Sequence, residues 1–217
     1  MSKMSKMKKR KSFLPKKIKI GGFDYEIIFV ERFVDANDTN IGICISPRTC
    51  IYISEYSKEY KLVKPKIIQT LLHEIFHAID NIYCDSIFRE EDIVLLESLW
   101  FHVLADNDLH ISSEKMPSSI RVLGHTYEII HNYNFELDNS NSVGSCTNFF
   151  ENKIYMSNNM DEGHIKVQIL SCITEIFINN GFFNDNFPHL PFSQGLYQVL
   201  KDNKLDVFIR KHCGGRA

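Results

Sequence analysis

The chain is 217 residues long, 44% hydrophobic, and carries a formal net charge of −2. That is enough apolar material for two small cores or one extended core, and no apolar stretch approaches the ~20 residues of a membrane-spanning helix. Met1 to Lys17 hold eight Lys or Arg and no acid, so taking those eight charges away leaves the remainder at −10, which argues against a broad basic face for nucleic acid.

In chain order, residues 1–17 read as a solvated basic tail. The tail lacks the apolar core of a signal peptide, so a cytoplasmic protein is expected, and its charge is of the kind that contacts nucleic acid or an acidic protein. Six cysteines with no CxxC pair fit reduced thiols in that compartment. Ile18 to Ile20 and Tyr25 to Phe33 alternate around Gly21-Gly22 as a hairpin, and further strands are expected at Gly42 to Ile45 and Cys50 to Ser54. Helices follow near Pro65 to Tyr83 and Asp92 to Asp106, the second with Ile93, Leu96, Leu99, Trp100, Val103 and Leu104 on its apolar face. Strands first and helices second predict an α+β fold.

The first helix carries His73-Glu74-Ile75-Phe76-His77, an HExxH motif inside an apolar run from Ile67 to Ile82. Positions i and i+4 of a helix lie one above the other, so both imidazoles point to one side and Glu74 can reach a water on a shared metal without ligating it. The apolar stripe of Ile68, Leu71, Leu72, Ile75, Phe76 and Ile79 packs the helix, and the histidines border it. A catalytic zinc needs a third protein ligand and an open position. Asp80 and Tyr83 stand where a metzincin extension would place Gly and its ligand, which leaves the following helix, with Glu90, Glu91, Asp92 and Glu97 as candidates. Glu97 interrupts an apolar face, where a carboxylate is costly unless paired, and is preferred; Glu90 and Glu91 read as ordinary acids at a helix N-terminus.

HExxH with a glutamate from the next helix resembles the gluzincin branch of zinc metallopeptidases, in the compact form found in phages and mobile elements. The resemblance spans about Ile18 to Asn107. It implies that His73, His77 and Glu97 bind zinc, that Glu74 activates water, and that a sheet edge at Cys50 to Ser54 lines the cleft and takes an extended peptide; the residues themselves allow an interior strand there equally well. Larger gluzincins often place Asp four residues after the ligand Glu, a position held here by Phe101.

The chain also repeats itself. Ile18 to Ile28 is matched by Ile120 to Ile130, Gly42-Ile43-Cys44 by Gly144-Ser145-Cys146, Ile51 to Ser54 by Ile154 to Ser157, and Glu74-Ile75-Phe76 by Glu175-Ile176-Phe177. The order is the same throughout, and the offset stays between 101 and 103 residues, as expected of a tandem duplication. His73 aligns with Thr174, His77 with Ile178 and Glu97 with Ser193, so the second copy is expected to be metal-free although it keeps Glu175. The expected organisation is a tail (1–17), a metallopeptidase-like domain (18–110), a linker (111–117), a degenerate repeat (118–205) and a C-terminal tail (206–217), with each copy a small zincin-like unit in which a mixed or antiparallel sheet precedes two helices. The expected function is zinc-dependent hydrolysis of a peptide or protein substrate. The alternative is a non-catalytic binding or regulatory protein on the same fold.

Overall fold

The computed structural model describes residues 13–33, 40–135 and 144–214; most of the basic tail lies outside them. It is α+β with mixed sheets, and it divides into two compact units, Met1–Phe101 and His102–Ala217.

In the first unit, β1 (Lys17–Ile20) and β2 (Phe23–Val30) form an antiparallel hairpin. Its two-residue turn is Gly21-Gly22, both with positive φ (58° and 87°), the backbone that matches the twist of paired strands. The chain then adds β3 (Gly42–Ile45), a 3-10 turn (Ser46–Arg48) and β4 (Cys50–Ser54). The sheet order is β1-β2-β4-β3, with β2 and β4 parallel and β3 antiparallel to β4. The parallel pairing explains the unbroken apolar run Ile27 to Val30, which is buried on both faces: Ile28 and Val30 pack with Phe33, Ile43 and Tyr52 on one of them.

That order corrects one expectation. Cys50 to Ser54 is an interior strand, and the edge beside it is β3. Alternation of Ile51 and Ile53 shows only that a face is buried, and both are fully buried here. A short hairpin, β5 (Tyr56–Ser57) and β6 (Tyr60–Lys61), leads into α1 (Lys64–Tyr83), which starts with Pro65 in its first turn. Ile68, Leu71, Leu72, Ile75, Phe76 and Ile79 are each at most 1% exposed, so the stripe is the core face. After a six-residue loop, α2 (Glu90–Asp106) buries Ile93, Leu96 and Trp100.

The second unit repeats the plan. β7 (Ser119–Val122), β8 (His125–Tyr133), β9 (Ser145–Asn148) and β10 (Lys153–Ser157) are ordered β7-β8-β10-β9, with β8 and β10 parallel and the outer pairs antiparallel. α3 (Glu162–Asn179) and α4 (His189–Asn203) follow, with Asp161 capping α3 by accepting from the His164 N–H. Where the sequence predicts a tail at residues 206–217, the structure has a helix. α5 (Leu205–Cys213) buries Leu205 and Ile209, and Lys204 turns the chain into it at φ 51°, a left-handed position the sequence does not mark with Gly. The predicted linker, 111–117, is pinned within its own unit: Ile111 is 1% exposed, and buried Lys166 donates to the Ser113 carbonyl and pairs with Glu162.

Candidate metal centre

Helix α1 places His73 and His77 on one side, one turn apart, at the border of its buried stripe. Their rings meet edge to face with centroids 4.8 Å apart, and their Nε2 atoms are 3.1 Å from each other. Glu90, at the first position of α2, spans the pair: its Oε1 lies 3.1 Å from Nε2 of His73 and its Oε2 3.2 Å from Nε2 of His77. Ligand atoms of the three residues all fall within 4.8 Å of one another, the one such group among the described residues.

Glu97 occupies a different position. Its Oε2 is 2.8 Å from Nδ1 of His73, on the far side of that ring from Nε2, and its Oε1 is 3.6 Å from Nζ of Lys66. An N–H at Nδ1 leaves the Nε2 lone pair free, so Glu97 fixes the tautomer and tilt of His73. Residues i and i+7 of a helix differ by only about 20° in direction, which is why Glu90 and Glu97 both face α1. That spacing is the signal, unused in the sequence reading, that pairs Glu90 with Glu97 on one face. Asp92 is committed elsewhere, to the backbone N–H and guanidinium of Arg89, which hold its carboxyl below the usual range, and Glu91 is exposed.

Glu74 lies inside the structure, 5% exposed, and burial lifts its pKa to about 7 against the opposing pull of His73 and the backbone N–H of Cys44. Burial pushes His73 down, but its bond to Glu97 and the charges of Glu74, Glu97 and Glu90 outweigh that and leave it raised. His77 is lowered by burial and by His73. Glu74 fits beneath the edge strand because residue 42 is Gly. A Cβ there would run into the Glu74 carboxylate and come within 2.7 Å of Thr70 Cγ2. His73, Glu74, Glu90, Glu97 and Gly42 border a cleft of about 290 Å³ between α1, α2 and the start of β3, lined further by Lys66, Gln69, Val94 and Ser98.

The matched positions of the second unit hold no such set. Thr174 is fully buried and donates to the Leu170 carbonyl over 3.0 Å, and Ser193 is fully buried. Carrying the Glu97 to Ser193 offset back to Glu90 reaches Asn186. Glu175 accepts from Thr147 Oγ1 at 3.3 Å and lies 3.8 Å from Nε2 of His189.

No family model, no curated protein and no solved structure matches the chain.

Proposed function

We propose that the protein is a zinc-dependent peptidase in which His73, His77 and Glu90 hold the metal, Glu74 is the general base and Glu97 orients His73. The observation that carries this reading is the convergence of two imidazole Nε2 atoms and a carboxylate, all ligand atoms within 4.8 Å. Two neutral nitrogens and one carboxylate oxygen are the donor set of a catalytic zinc site, which keeps a fourth position open. The sequence-based choice of Glu97 as third ligand gives way to Glu90, because the near oxygen of Glu97 is engaged at Nδ1 of His73.

When bound, zinc supplies Lewis-acid polarisation of a carbonyl and acidifies water. The chain supplies the rest. Glu74 takes the proton of the attacking water and passes it to the leaving amine nitrogen, one residue serving as base and then as acid. Its surroundings suit that role, since the Cys44 N–H holds the carboxylate in place and the β3 backbone over Gly42 covers it. Glu97 keeps the His73 ring from turning, and Lys66 offsets the charge of Glu97. The substrate is a peptide or protein segment that enters the cleft between β3 and α2.

Metal analysis tests the reading. The purified protein should hold one zinc per chain; His73→Ala, His77→Ala and Glu90→Gln should lose it, and Glu97→Gln should weaken it by about 10- to 100-fold. Two tightly held zinc ions per chain, or full retention by His77→Ala, would overturn it.

A further inference from the structure

Glu90 stands at the end of a loop whose backbone N–H groups are held by two aspartates, Asp80 through its carboxylate and its own carbonyl, and Asp92 through its carboxylate. Asp80, one turn beyond His77 on α1, is 5% exposed and accepts from the Ile87 N–H at 3.1 Å (Oδ1) and from the Phe88 N–H at 3.3 Å (Oδ2). Its own carbonyl takes the N–H groups of Cys84 at 3.0 Å and Ser86 at 3.1 Å. Asp92 takes the next N–H, that of Arg89, at 3.0 Å. Three successive donors, residues 87 to 89, are therefore fixed immediately before Glu90. The loop also contains two consecutive non-glycine residues in the left-handed region, Asp85 and Ser86, both at φ 57°. Such backbone is unfavourable and persists only where surrounding bonds hold it.

We infer that Asp80 is a positioning residue for the metal centre: it sets where α2 begins, and so where the Glu90 carboxylate lies relative to His73 and His77. This rests on the proposed metal site. Asp80 and the two histidines share one rigid helix, so the Asp80 carboxylate measures the entry of α2 from the element that carries the imidazoles. Glu90 follows Phe88 by two residues, and its oxygens must meet two Nε2 atoms at 3.1 and 3.2 Å. Small errors in the first turn of α2 would reach the ligand undiminished. A loop cap with no such role would contribute stability and nothing more.

The two roles separate in metal affinity. Zinc and cobalt(II) titrations of the full chain, made well below the unfolding temperature, compare wild type with Asp80→Ala, Asp80→Asn and Asp161→Ala. The last removes the α3 cap and serves as a purely structural control. Asp80→Ala should weaken metal binding by about 10- to 100-fold, the size seen when supporting residues of metal ligands are removed, and should change the cobalt(II) absorption spectrum. Asp161→Ala should lower the unfolding temperature with affinity unchanged. Asp80→Asn presents an amide nitrogen to one of the loop N–H groups and should fall between wild type and Asp80→Ala; it decides the matter if Asp80→Ala does not fold. Wild-type affinity and spectrum in a folded Asp80 variant would overturn the inference and leave the metal site standing. A wild-type protein that takes up neither metal would overturn the proposed function, and the inference with it.

Discussion

The two units have the same strand order and the same helix after it, yet among the described residues only the first brings two histidines and a carboxylate together. On α1 and α3 the shared Glu-Ile-Phe places Ile75, Phe76, Ile176 and Phe177 at full burial. Beside them the helices part. α1 carries two imidazoles that meet the Glu90 carboxylate, whereas α3 carries Thr174, turned back onto its own helix. Glu74 is enclosed under Gly42, but the Glu175 side chain is 39% exposed and held by a threonine hydroxyl. The core face and the histidine pair therefore occupy different stripes of one helix, and the second stripe differs between the units while the core stripe persists.

The largest expected effect tests the chemistry. Glu74→Gln should retain zinc and lower peptide hydrolysis by about 10²- to 10⁴-fold, the usual contribution of a general base. Glu175→Gln should change neither. Equal losses in the two variants, read as kcat/KM on an unstructured peptide substrate, would break the contrast.

Next comes the packing that the units share. Phe76→Ala and Phe177→Ala each remove a fully buried ring and should each cost about 3–5 kcal/mol in urea unfolding. A cost in one unit and none in the other would show that the repeated core does not contribute equally in both.

A smaller effect is expected at the edge strands. Gly42→Ala should cost about 1–3 kcal/mol and also lower hydrolysis, because the added carbon displaces the Glu74 carboxylate and crowds Thr70. Gly144→Ala meets Met160 Sδ at 3.2 Å, the flexible part of a side chain that can yield, and should be nearly silent. Thermal unfolding of the pair would settle whether the close fit is confined to the first unit.

The smallest effect belongs to α5, which follows the repeated plan only in the second unit. Burial holds the Asp206 carboxyl above its ordinary range, with the N–H groups of Val207 and Ile111 opposing. A raised folded-state pKa means that the folded form keeps its proton to higher pH. The contribution is complete below the unfolded value of about 4 and is lost as pH rises through the folded value. Asp206→Asn should thus be more stable than wild type at pH 7, by under about 1 kcal/mol, and no more stable at pH 3. A gain that persists at pH 3 would rule out titration as the cause.

Much of this was legible in the sequence, for reasons that particular residues make plain. The hairpin strands, β3, β4 and both long helices of the first unit fall within two or three residues of where alternation, Gly-Gly and Pro65 set them. The α+β class followed from their order. What pattern could not convey was strand order, since Ile51 and Ile53 look alike in an edge or an interior strand, and α5, whose start is a lysine in a glycine's conformation. The burial argument at Glu97 identified a carboxylate that does need a partner. It could not distinguish a metal from Nδ1 of His73, because either satisfies a buried charge, and the exposed Glu90 gave no such sign. Gly42 is visible in the sequence as part of the repeat, but the closeness of Glu74 behind it depends on the third dimension.

The bond between the Cys44 N–H and Glu74 has a further consequence. In the β3–β4 register, Ser54 donates to Ile41 and Ile43 pairs with Tyr52, so the N–H of Cys44 points away from β4, toward the open side of the sheet. A bare strand edge invites pairing with another molecule. Here one of the edge donors is already taken by the chain's own carboxylate. Glu74 thus occupies part of the sheet edge as well as facing the cleft, and shortening it to Ala should free that donor, so that Glu74→Ala self-associates more in light scattering than Glu74→Gln, which keeps an acceptor oxygen.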